Sequence, residues 1–153
     1  MKRLISNKDF PSTSNFTYLN TANVGLMLNK AEKFEFSTIA FGCALRLAKS
    51  IDLINDIGVE AIFKYNRELA DILVDNLRSQ SAVITSSDKK DRSSIVTAYF
   101  KNKDSNKIVE YLCKRKVHVS TRGKAIRFSP HLYNNIDDIT NANKEINGAL
   151  IHL

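Results

Sequence analysis

Apolar residues recur at helical spacing from about Ile39 to Asp56, at Ala40, Cys43, Ala44, Leu47, Ile51 and Ile54, and this period predicts an amphipathic helix. Gly58 supplies its stop. A second stripe at Ile62, Tyr65, Leu69, Ile72, Leu73 and Leu77, with Arg67, Asp71, Asp75 and Arg78 on other faces, predicts a helix from Val59 to Arg78. The Ile57-Gly58 junction is short, so the two helices are expected to bend sharply against each other. The apolar period then falls to two. Ala82-Val-Ile-Thr85 reads as a short strand, Ser86 to Arg92 as a polar turn, and Ser94-Ile-Val-Thr-Ala-Tyr-Phe100 as a β-branched and aromatic strand. Asp104 or Ser105 can cap a helix over Asn106–Lys114 that turns Ile108, Val109 and Leu112 inward. Val117–Ser120 reads as a third strand and Arg122-Gly123-Lys124 as a tight turn. Ala125–Ser129 reads as a fourth strand, ended by Pro130. Asn135 can cap a last helix from Ile136. Asp137 and Asp138 fall in its first turn, where carboxylates are favoured, and Ile139, Ala142, Ile146 and Leu150 continue its stripe.

This order, ααββαββα, predicts an α+β fold: a small mixed or antiparallel sheet of about four strands with helices packed on one face. Upstream, residues 1–17 are polar and read as extended, Tyr18–Met27 as an irregular surface segment, and residues 28–38 as a linker. A length of 153 residues points to one domain, and 43% hydrophobic with 25% charged residues is the balance of a soluble globular chain. No apolar run reaches the length of a membrane span. The Met1-Lys-Arg-Leu start lacks the apolar core of a secretory signal, so the expected location is cytoplasmic.

Cys43 and Cys113 have neither metal-ligand nor redox spacing, and are expected as two buried thiols without a disulfide. His118, His131 and His152 also lack ligand spacing, so no metal site is expected. The net charge of +7 permits a nucleic-acid or membrane-surface partner. The basic residues are scattered, however. The tightest clusters are Lys89-Lys90-Asp91-Arg92, in a turn, and Lys114-Arg115-Lys116, at a helix end where cations offset the macrodipole. A nucleic-acid partner is therefore not expected, and a basic binding module stands only as an alternative.

Among residues that could carry chemistry, Arg127 stands out. Strand alternation puts it on the face opposite Ile126 and Phe128. A guanidinium held on a rigid strand suits a bidentate grip on a carboxylate. A solvated strand arginine, or one paired to Asp137 or Asp138, fits the same residues. Ser129 and His131 are near neighbours but have no assignable acid, and proximity in sequence is not a triad. No phosphate-binding or dinucleotide glycine pattern is present.

The stretch Arg127-Phe-Ser-Pro-His-Leu-Tyr-Asn-Asn-Ile-Asp-Asp138 resembles the closing segment of the class V aminotransferases, fold-type-I pyridoxal-phosphate enzymes that include cysteine desulfurase, kynureninase and isopenicillin epimerase-like proteins. Lys33-Phe-Glu-Phe-Ser-Thr38 is similar to that family's Arg-Phe-Glu-x-Gly-Thr segment, with Ser37 in place of the glycine and Lys33 in place of the arginine. Tyr18-Leu-Asn-Thr-Ala-Asn-Val-Gly25 and the Asn55–Ile62 helix junction also match family stretches. The resemblance implies that Arg127 binds the substrate α-carboxylate, that Asn23 lines the substrate pocket and that Thr38 contacts the cofactor phosphate. It implies an N-terminal segment, 1–31, folding onto a small domain, 32–153.

The same resemblance implies a departure. The family's large domain, which carries the Schiff-base lysine, lies between the N-terminal segment and the Phe-Glu-x-Gly-Thr region. Here six residues separate Met27 from Phe34. The expectation is a small domain that binds no pyridoxal phosphate alone and has no catalytic residue of its own. It would be a natural remnant, a shortened form or an interaction module, with a homo-oligomer or a large-domain chain as its partner. Alternatively it is one half of a split enzyme completed by a separate large-domain chain. The loop before Arg127, His118-Val-Ser-Thr-Arg-Gly-Lys-Ala-Ile126, lacks the desulfurase cysteine and looks closer to the epimerase and kynureninase-like branches.

Overall fold

The computed structural model describes Thr17–Tyr18, residues 41–87 and residues 93–153. Among these, strand β1 (Thr17–Tyr18) is followed by helices α1 (Phe41–Ile57) and α2 (Val59–Ser79). Next come strands β2 (Val83–Ile84) and β3 (Val96–Tyr99) and helix α3 (Ser105–Lys114). Strands β4 (Val117–His118), β5 (Ser120–Arg122) and β6 (Ala125–Phe128) precede the last helix, α4 (Ile136–His152). The fold is α+β, with a four-stranded antiparallel sheet in the order β2-β3-β6-β5.

The core lies between one face of that sheet and the stripes of α2, α3 and α4. From α2 come Leu69, Leu73, Val74 and Leu77, from α3 Ile108 and Leu112, and from α4 Ile139, Ala142, Ile146 and Ala149. The sheet answers with Val96, Ala98, Ile126 and Phe128, the alternate positions of its two central strands. Each of these helices starts where the sequence offers a start. Asp104 caps α3 by accepting from the Asn106 amide at 2.8 Å. Asn135 and Asp138 form a reciprocal capping box at α4: the Asp138 amide donates to Asn135 Oδ1 at 3.0 Å, and the Asn135 amide donates to Asp138 Oδ2 at 2.9 Å. The sharp bend between α1 and α2 is made at Gly58, whose φ of 87° and ψ of 128° suit a residue without a side chain.

Two expectations are corrected, on the cysteines and on the third strand. The apolar stripe of α1 does not enter the core: Leu47 is 62% exposed, and Ile51 and Ile54 are exposed too. Helix α1 has α2 as its main contact, so one helix surface has to satisfy it and most of its apolar face meets solvent. Cys43 and Cys113 are exposed rather than buried. Cys43 lies on this outlying helix, and Cys113 sits one residue past Leu112, about 100° around α3 from the buried stripe. Finally, the expected third strand divides. Val117–His118 pairs in parallel with Thr17–Tyr18, whereas Ser120–Arg122 pairs with β6, and Val119 marks the change of sheet.

Candidate carboxylate site

Strand β6 is central, held by β3 on one side and β5 on the other. Its register places Arg127 directly opposite Thr97 on β3 and Ser120 on β5. Directly paired residues share a face, so Arg127, Thr97 and Ser120 project from the side of the sheet away from Ile126 and Phe128. Arg122, paired with Ala125, belongs to the same face. The β5–β6 hairpin turns through Gly123-Lys124, with Gly123 at φ 58°, a conformation glycine adopts without strain. Ser105 Oγ donates to the Lys124 carbonyl at 2.7 Å and ties this hairpin to the start of α3. The strand that carries Arg127 is therefore fixed on both edges and at its turn.

Arg127 is only 8% exposed. This overturns the reading of a solvated strand arginine. Burial is the larger cause that holds its pKa below the usual arginine value, and the like charge of Arg122 is the second. A guanidinium still stays protonated in the neutral range. Arg127 thus brings a permanent, partly desolvated positive charge to a sheet face with a second cation nearby.

The chain leaving β6 is equally constrained. The Asn134 amide donates to the His131 carbonyl at 2.8 Å, and the His131 amide donates to Asn134 Oδ1 at 3.0 Å. Tyr65 on α2 donates its hydroxyl hydrogen to the Asn134 carbonyl at 2.5 Å, a link across 69 positions of sequence. The His131 and Tyr133 rings lie 5.3 Å apart between centroids. Burial lowers the pKa of His131, favouring the neutral imidazole. Asp138 is occupied with capping α4, in keeping with its place in the first turn.

Hydroxyls on the Arg127 face divide into two kinds. Thr85 Oγ1 donates to Thr97 Oγ1 at 2.9 Å. Ser120 Oγ and Ser129 Oγ are shielded from water and have no hydrogen-bond partner among the described residues. Sequence reasoning missed this pair. Ser129 could have been found from alternation, two positions beyond Arg127, but Ser120 joins the face only through the β5–β6 register.

Asn23 and Thr38, the other two residues that resemblance brought to this site, lie outside the described residues, as does the Lys33–Thr38 stretch. Among the described residues no group of His, Cys, Asp and Glu could hold a metal ion, and no helix is long and apolar enough to cross a membrane. Of the basic cluster at the end of α3, Lys114 pairs with Glu110 at 2.8 Å. Arg115 pairs with Glu145 at 3.0 Å and stacks over the Tyr111 ring at 3.5 Å. Two of these cations are thus engaged within the protein. Lys89, Lys90 and Arg92 lie outside the described residues.

A protein-family model, aminotransferase class-V, matches residues 15–141. A comparison with curated protein sequences finds no match. Among solved structures, the chain is similar to the apo cysteine desulfurase of Thermococcus onnurineus NA1, with a TM-score of 0.70 and 18% identity over 84% of this chain and 36% of that one. It is similar to the Escherichia coli cysteine desulfurase CsdA in its S-sulfonic acid form, with a TM-score of 0.69 and 16% identity over 78% of this chain and 33% of that one. A NifS-like protein gives a TM-score of 0.60 and 21% identity over 73% of this chain and 33% of that one. At these identities the likeness is one of fold. The chain spans about a third of the length of these three proteins.

Proposed function

Because the chain belongs to the aminotransferase class-V family, we propose that it corresponds to the small domain of such an enzyme and that Arg127 is the anchor for the α-carboxylate of an amino acid. The observation that carries this reading is the placement of Arg127: buried, on the central strand, on the sheet face away from the core, with Arg122 nearby. A carboxylate brought to that face meets a guanidinium whose position is already set, so little orientation is lost on binding. By the same resemblance Asn23 lines the pocket and Thr38 contacts the cofactor phosphate.

The family's chemistry uses pyridoxal phosphate, which supplies an electron sink when bound and needs a lysine for covalent attachment. None of the strands that build the Arg127 face contains a lysine: they read Val83-Ile84, Val-Thr-Ala-Tyr99, Ser-Thr-Arg122 and Ala-Ile-Arg-Phe128. The described face fits a carboxylate and does not fit attachment of the cofactor. Catalysis therefore requires a lysine from elsewhere.

One observation favours a second chain as that source. Leu47, Ile51 and Ile54, which helical spacing places along one side of α1, are all exposed. Such a row is the mark of a surface that meets another surface. A large-domain chain or a second copy of this one would bury it.

Titration with L-alanine, followed by heteronuclear NMR, tests the anchor. The expected result is saturable shifts at the amides of Arg127 and its cross-strand neighbours, absent with L-alaninamide. Arg127→Lys keeps the charge but loses the fork, and should weaken binding by about tenfold. Unchanged affinity in that variant would refute the anchor.

A further inference from the structure

Two water-shielded hydroxyls without hydrogen-bond partners belong to sheet neighbours of the buried Arg127. Ser120 faces Arg127 across the strand pair, at a separation of about 5 Å between side-chain roots. Ser129 makes a bridge just past β6, two positions along from Arg127 and about 7 Å away. Ser129 is 3% exposed, and both Oγ atoms are shielded from water. Nearly every buried polar group in a folded protein finds a hydrogen-bond partner, because leaving one unmade costs its desolvation. Two unmet hydroxyls beside a cation therefore describe a place built for something that accepts hydrogen bonds and carries negative charge.

A carboxylate meets that description. It offers about four acceptor positions on two oxygens, and a guanidinium fork uses two of them. Two serine hydroxyls, each free to rotate its hydrogen, can take the others. We propose that Ser120 and Ser129 are carboxylate-binding residues that act with Arg127, donating to the oxygen positions its guanidinium leaves open. This inference rests on the anchor reading of Arg127 and extends it to a three-residue grip on the carboxylate of an amino acid.

The assignment makes stability and affinity move in opposite directions. A serine placed for structure destabilises the protein when truncated. A serine placed for a ligand sits unsatisfied in its absence, so truncation leaves the free protein as stable or more so. The experiment titrates L-alanine into wild-type protein, Ser120→Ala, Ser129→Ala and Arg127→Lys, and records the melting temperature of each without ligand. The expected outcome is about fivefold weaker binding in each serine variant, with an unchanged or raised melting temperature. If both serine variants bind as wild type while Arg127→Lys is weakened, the serine assignment fails and the anchor stands. If Arg127→Lys binds as wild type, the anchor fails and this inference with it. Lowered melting temperatures with wild-type affinity would assign the serines a structural role, and a wild type that shows no saturable binding would overturn both proposals.

Discussion

Arg127 and His131 sit four residues apart, and burial lowers the pKa of both with different results. Arginine cannot give up its proton in the neutral range, so the buried Arg127 stays a cation. Histidine can, and burial favours its neutral form. The stability consequence has a definite sign. Below the ordinary histidine value of 6.5 the unfolded chain takes up a proton that the folded His131 resists. Folded stability is therefore complete above that pH and is lost as pH falls through the window between 6.5 and the lower folded value. Calorimetric melting temperatures measured from neutral pH downward should decline across that window, and His131→Asn should flatten the decline. A variant with the wild-type slope would show that some other group is responsible. Arg127 itself was legible in the sequence as a candidate, but its burial was not, since alternation placed it on the face away from the core and solvent was the natural surrounding.

Helices α1 and α2 show how similar stripes meet different fates. Both have apolar residues at helical spacing. The buried face of α2 from Tyr65 to Leu77 meets the sheet and α4, whereas the row Leu47, Ile51 and Ile54 on α1 stays exposed. Period tells which residues share a face; it does not tell whether another element arrives to cover it. The joint between them was readable. Gly58 closes α1 through its amide, which donates to the Ile54 carbonyl at 2.9 Å, and opens α2 through its carbonyl, which accepts from the Ile62 amide at 3.1 Å. No atom would crowd an added Cβ there, so the demand is purely conformational. Gly58→Ala should cost about 1–3 kcal/mol, seen as a melting temperature lower by several degrees. An unchanged melting temperature would mean that the bend relaxes without loss.

At the scale of the molecule, the chain covers about a third of the length of its structural neighbours, and the strands around Arg127 contain no lysine. Purified chain incubated with pyridoxal phosphate and reduced with borohydride should yield no stoichiometric lysine adduct by mass spectrometry. A mixture with a partner that supplies the lysine should yield the adduct on the partner. A specific adduct on this chain would overturn the reading of a small domain dependent on another for catalysis. The net charge of +7 does not by itself argue for a nucleic-acid footprint. Where the basic cluster at the end of α3 is described, Lys114 and Arg115 are matched by Glu110 and Glu145.

The sequence by itself determined the local elements, because capping residues, apolar period and turn glycines act over a few positions: Asp104 at α3, the Asn135–Asp138 box at α4, Gly58 and Gly123 at their bends. It also determined the family, through residue order in stretches such as Arg127–Asp138. Tertiary structure alone decided what depends on partners distant in sequence. The split of Val117–Arg122 between two sheets follows from which strands arrive on either side of Val119. The exposure of α1 follows from the absence, among the described residues, of a second surface against it. Ser120 and Ser129 come to either side of Arg127 by different routes. Ser129 comes by the two-residue period of the strand, while Ser120 comes by a hairpin register that no local rule encodes.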